Sequence, residues 1–177
     1  PVDNCAVAGS IALHGIVTGV PPDALLERWE KVWRGRYVDP GTGLLVQSTF
    51  ADGSPLDRPR ASGTALGAYL LSLGKVPLGR DLFASLERSC GTTYGTGFGF
   101  MLEYPRGQPA GGGDIDSGPV VLGIGFSATG FALGGCRAYG APDTYRRLYA
   151  TAHFVGAPLD SGGRRNYVCG GPLGNAL

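Results

Sequence analysis

An all-α fold of stacked helical hairpins is predicted by three observations. A unit recurs three times, each copy an apolar segment carrying Ala-Leu (Ala12-Leu13, Ala65-Leu66, Ala132-Leu133), then a glycine-marked break, a proline and an amphipathic stretch. The second half of each unit has helical apolar spacing, while the first half is rich in small residues and nearly free of charge. A repeated unit that cannot bury its own apolar face implies neighbours stacked on a shared core.

The outer helices are expected over 22–36, 77–90 and 142–155. Their apolar stripes are Leu25, Leu26, Trp29, Val32 and Trp33; Leu82, Phe83 and Leu86; and Tyr145, Leu148, Tyr149 and Ala152. Charge falls on the opposite faces, so one side of each helix meets protein and the other water. Proline announces each start (Pro21 and Pro22, Pro77, Pro142), where a missing N–H costs nothing.

The inner helices are expected over 3–18, 60–73 and 117–138. A helix apolar all round is a buried one, and its glycines admit neighbouring backbones at some cost in helix propensity. On that basis His14 is expected to be a hydrogen-bonded core histidine. The run from Ser117 to Cys136 carries no charge and is long enough to cross a membrane. Its glycines, Ser127, Thr129 and charged hairpin partner point instead to a core helix.

With 177 residues the chain is expected to form one domain over 1–177. A net charge of +1 gives no reason to expect a nucleic-acid partner. The opening at Pro1 without a leader reads as a piece of a longer protein. Cys5, Cys90, Cys136 and Cys169 lack zinc-site spacing, and no metal or other cofactor is expected. They read as buried free thiols, with a disulfide as the alternative.

If inner and outer helices alternate in direction, the inner N-termini share one rim with the long connections 37–59 and 91–116 and the tail after 155. Long loops over a helical scaffold tend to carry function. The first, with Tyr37-Val38-Asp39-Pro40-Gly41-Thr42-Gly43, is expected to form a short hairpin. The second carries Tyr94, Glu103, Tyr104, Asp114 and Asp116.

Asp116-Ser117-x-Pro119 is a helix-start signature, so capping is one reading of Asp116. The other is chemical: Asp114 stands two residues away, and two carboxyls near positive helix ends can hold different protonation states, as general acid–base chemistry requires. Asp3 and Asn4 open the first inner helix; Arg60 and Ser62 open the second. The catalytic candidates are therefore Asp116, Asp3 and Asp114. Arg60, Asn4, Tyr94, Glu103, Tyr104 and Tyr167 are the substrate-binding candidates, and His153 ends the last outer helix near the same rim. The chain has no G-x-S-x-G elbow, P-loop, H-E-x-x-H or dinucleotide fingerprint.

Several blocks, PVDNCAVAGSIALHG, YVDPGTGLL, PRASGTALGAYLL, EYPRG, GDIDSGPVVLGIGFSATGFALGGCRAYG and RRNYVCGGPLGNAL, together resemble uncharacterised bacterial proteins with an α/α-toroid domain, distantly similar to linalool dehydratase/isomerase. GDIDSGP is the most distinctive block. The resemblance implies an (α/α) barrel with its cleft at the N-terminal ends of the inner helices, and an extracytoplasmic or membrane-associated setting. It also implies an early aspartate in acid–base chemistry, matched by Asp3; the family's histidine and cysteine motifs have no counterpart at His14, His153 or the four cysteines. Three hairpins would be half of a six-hairpin toroid.

Two functions follow as expectations. One is an enzyme cleft acting on an alcohol, polyol or glycan by water addition, elimination or glycoside cleavage, which paired carboxylates suit. The other is a non-catalytic binding or assembly domain that docks a second copy or the missing half of a toroid, because an open half-barrel exposes a large apolar face.

Overall fold

The computed structural model describes residues 1–114 and 117–170. It is mostly helical, with six α-helices among the described residues: α1 Val2–Thr18, α2 Asp23–Arg36, α3 Ala61–Leu73, α4 Pro77–Cys90, α5 Phe126–Tyr139 and α6 Pro142–Gly156. Three two-stranded antiparallel hairpins decorate them: β1 Gly91–Tyr94 with β2 Phe98–Met101, β3 Val120–Val121 with β4 Ile124–Gly125, and β5 Pro158–Ser161 with β6 Arg164–Tyr167.

Proline occupies the first turn of α4 and of α6, where its fixed φ favours the helix and its missing N–H removes no bond. The α1 and α5 helices end on Gly19 and Gly140 in the left-handed conformation, the usual way to stop a helix without a Cβ penalty.

The inner helices pack through missing side chains. Along α1 and α3, Cys5 meets Gly67, Gly9 lies against the Leu70 carbonyl, and Ala12 meets Gly74. The contacts rise together in both helices, so the two run parallel. A Cβ on Gly9 would strike backbone, which cannot move aside as a flexible side chain can. On the other side of α3, Gly134 of α5 holds the Tyr69 ring, while the starts of α3 and α5 meet around Glu103. These two helices are parallel as well. Gly79 of α4 lies against Leu71 and the Ala68 carbonyl, which makes α3–α4 an antiparallel hairpin. The Tyr139 hydroxyl ties α5 to the same turn by donating to the Ala68 carbonyl at 2.7 Å.

Leu71, Leu78, Leu82, Leu86 and Leu148 fill the core with Leu44, Leu45 and Met101 from the connections. Each such burial contributes about 1.5–3 kcal/mol. Trp33 joins the core from α2, stacked on Trp29 with ring centroids 5.0 Å apart, whereas Leu25 and Val32 of the expected stripe are exposed.

Two expectations are corrected. The third inner helix starts at Phe126, nine residues after Ser117, because Val120–Gly125 turns back on itself as the β3–β4 hairpin. The hairpin's two-residue turn, Leu122-Gly123, has φ of 53° and 80°, the geometry that matches strand twist and favours glycine at its second position. Ser117 therefore does not open that helix. His14 is exposed, because α1 lies at the edge of the helix row and only its Cys5-Ala8-Ala12 face meets protein. Among the described residues no helix is long and apolar enough to cross a membrane.

Candidate functional site

The 37–59 connection brings its polar residues to the start of α3 by short-range turns. Asp39 accepts from the Thr42 amide at 2.8 Å and from the Thr42 hydroxyl at 2.6 Å; this Asx-type turn is the expected hairpin, closed by a bridge between Val38 and Leu45. The chain then passes through Asp57-Arg58-Pro59 to Arg60, whose extended backbone precedes the first turn of α3. The Thr64 hydroxyl donates back to the Arg60 carbonyl at 2.7 Å, and the Leu45 amide donates to that hydroxyl at 3.0 Å, so the arginine's backbone is pinned on both sides.

Arg60 is buried and holds two carboxylates. Its guanidinium pairs with Asp57 and, at 2.6 Å, with Asp114. These bonds hold the Arg60 guanidinium above its ordinary value although burial pulls the other way. The Tyr104 ring stacks under the Arg58 guanidinium at 3.7 Å from its centroid and lies 5.5 Å from that of Arg60. The Tyr104 hydroxyl donates to the Gly112 carbonyl at 3.0 Å. Asp114 and Ser117 close a small ring: the Ser117 hydroxyl accepts from the Asp114 amide at 2.9 Å, and an Asp114 carboxylate oxygen accepts from the Ser117 amide at 2.8 Å.

Beneath this layer lies Glu103, 0% exposed. Its backbone carbonyl accepts from the Ala61 amide at 2.8 Å, its amide donates to the Gly123 carbonyl at 2.9 Å, and its Oε1 accepts from the Ser62 hydroxyl at 2.6 Å. Oε2 is buried against Gly125 and, among the described residues, has no hydrogen-bond partner. Burial pushes the Glu103 carboxyl above its ordinary range, opposed by the Ser62 hydroxyl and by Arg60. Glu103 thus bolts the starts of α3 and α5 together and does not reach solvent. Beside Tyr104, a hollow of about 250 Å³ is lined by Leu102, Pro105, Arg106 and Gln108, among others.

Arg60, Glu103, Tyr104 and Asp114 are thus brought together at the rim formed by the starts of α3 and α5. Asp57, Arg58 and Ser117 belong with them. The sequence signal for the first two was the alternating run Asp57-Arg58-Pro59-Arg60 immediately before a helix start. Asp3 and Asn4 are exposed on the first turn of α1, with no side-chain hydrogen bond or ion pair to this cluster. Tyr94 is 75% exposed near the tip of the β1–β2 hairpin. Tyr167 belongs to another group, its hydroxyl 3.2 Å from His153 Nδ1 and 3.3 Å from the Tyr149 hydroxyl. Asp116 lies outside the described residues.

All four cysteines are free, and Cys5, Cys90 and Cys136 are buried. Burial pushes each of these three thiols up to about 12, so at neutral pH none supplies a thiolate nucleophile. Among the described residues no three His, Cys, Asp or Glu side chains gather in a way that could hold a metal ion. Compared with models of protein families and with curated proteins, the chain matches none.

Proposed function

We propose that this chain is part of an α/α-toroid enzyme whose acid–base cleft lies on the rim at the N-terminal ends of the inner helices, acting on an alcohol, polyol or glycan-type substrate. The observation that carries this reading is the meeting of Arg60, Tyr104 and Asp114 where the parallel helices α3 and α5 begin. The three hairpins would form half of a six-hairpin ring, as the resemblance to the linalool dehydratase-like proteins implies.

In this reading Asp114, paired to Arg60, is the carboxylate of the site, and Asp116 is the residue that gives and takes the proton. Elimination or hydration needs such a pair: one group protonates the departing hydroxyl while another removes a proton from the neighbouring carbon. Tyr104, fixed by Arg58 and Gly112, forms a wall of the adjacent hollow. At about 250 Å³ that hollow is slightly smaller than the ~300–1,000 Å³ of drug-sized ligand sites, which fits a small alcohol or one sugar unit.

Asp116→Asn keeps shape and hydrogen-bonding capacity while removing the titratable group. It is expected to leave stability within about 1 kcal/mol and to lower turnover on a panel of alcohols, polyols and glycosides by at least ~100-fold. A variant that is destabilised but unchanged in activity per folded molecule overturns this assignment.

A second reading, a non-catalytic assembly domain, is favoured by a separate observation. Val7, Ile16, Val17, Val20, Leu25 and Val32 are exposed on the first hairpin and the turn within it. Such an apolar surface marks a contact with a partner half or a second copy. Light scattering tests it: a monomer at high concentration would remove the second-copy form of this reading.

A further inference from the structure

A second cleft lies where α4, the β1–β2 hairpin and α6 meet, with a volume of about 180 Å³. Its walls carry Glu87, Thr92, Thr93, Thr144 and Arg147, and the buried Leu148 lies at its base. Glu87 and Arg147 bear opposite charges and line the same small space, yet they form no ion pair with each other. Among the described residues the Arg147 guanidinium has no hydrogen-bond or salt-bridge partner at all.

Glu87 is held on one wall by the Thr144 hydroxyl, which donates to its Oε1 at 2.7 Å. Arg147, an exposed residue of α6, also lines the cleft, its Cβ resting against Gly99 of β2, where any side chain would crowd it. Gly99 is itself clamped to α6, its amide and carbonyl both bonded to the Thr151 hydroxyl, at 3.2 and 2.6 Å.

We propose that this cleft binds a small zwitterion of the α-amino-acid type, its carboxylate on Arg147 and its ammonium on Glu87. A simple anion would meet the Glu87 carboxylate, and a simple cation would meet the Arg147 guanidinium; a molecule with both charges satisfies both walls. An arginine fork suits a carboxylate bidentately, and the threonine hydroxyls can take the remaining donors and acceptors of a polar side chain. The size agrees: a cavity of about 150 Å³ admits benzene, so 180 Å³ admits a molecule the size of serine or threonine. The inference is independent of the rim chemistry, since no residue is shared between the two places.

The test is a titration of the whole chain with L-serine, acetate and ethanolamine, followed by amide NMR shifts and calorimetry. Saturable shifts at Thr92, Thr93 and Arg147 are expected with serine, with at least about tenfold weaker binding of acetate and of ethanolamine, each of which offers one charge. Arg147→Gln and Glu87→Gln should each weaken serine binding about tenfold or more. Gln at 87 keeps an acceptor for Thr144; should that variant fail to fold, the comparison of serine with acetate on the unaltered chain decides. Serine shifts that do not saturate by about 50 mM, a range that would still catch weak sites, or acetate binding as well as serine, would overturn the proposal.

Discussion

The central hairpin, α3–α4, and the first hairpin, α1–α2, have similar sequences and opposite surroundings. In α3 eight of thirteen residues are buried, and α4 buries Leu78, Leu82, Phe83 and Leu86. The α1 helix buries only the narrow face of Cys5, Ala8, Gly9, Ala12 and Gly15, and α2 buries Trp33 alone. Both inner helices read as apolar all round. Periodicity tells which face is apolar; the number of neighbours decides whether that face is covered, and α3 has α1, α4 and α5 around it while α1 sits at an edge.

The comparison can be broken most sharply at Leu71, which is 0% exposed between helices. Leu71→Ala should cost about 4 kcal/mol in urea unfolding, as truncations in rigid cores do; a loss under about 1 kcal/mol would mean the central hairpin is no better packed than the edge. Trp33→Ala should cost about 3 kcal/mol, because it removes both the burial and the stack with Trp29 and Tyr37. At the exposed Val17 the substitution Val17→Ala is expected to change stability by no more than about 0.5 kcal/mol. A larger loss there, increasing with protein concentration, would show the edge to be covered by another copy.

The bolt between α3 and α5 gives the comparison a pH axis. Glu103 has its carboxyl raised from 4.5 by burial, so the folded chain keeps this proton at a pH where the unfolded chain has lost it. Its contribution is therefore fully present below 4.5 and is lost as the pH climbs from there through the folded value. Glu103→Gln removes that decline. The variant's unfolding free energy should be flatter than that of the unaltered chain between pH 4.5 and neutrality, and parallel curves would assign the slope to another group.

Most of the helical frame was legible because prolines and charge reversals mark it: Pro77 and Pro142 stand in the first turns of α4 and α6. The late start of α5 was hidden because Val120, Val121 and Ile124 are as apolar as a buried helix, and glycine at 123 marks the turn only weakly in a segment already rich in glycine. Arg60, Glu103, Tyr104 and Asp114 could be nominated because inner helices of like direction bring their starts together. The exposure of Asp3, Asn4 and His14 could not be read, since a sequence does not say which repeat stands at the end of a row. Glu103's depth was equally hidden: it follows from Gly125 on another segment, which leaves room for the carboxyl.

The glycine contacts between α1 and α3 have a further consequence for how the molecule opens. Backbone that touches backbone has no side chain to let go first, so α1 and α3 separate only when much of the core separates with them. The α2 helix, anchored by Trp33 and by Arg34 pairing with Asp81 of α4, can detach with far less lost surface. Its amides should therefore belong to the lowest-energy opening unit of the chain and exchange with solvent while the rim stays closed, whereas those of α3 wait for global unfolding.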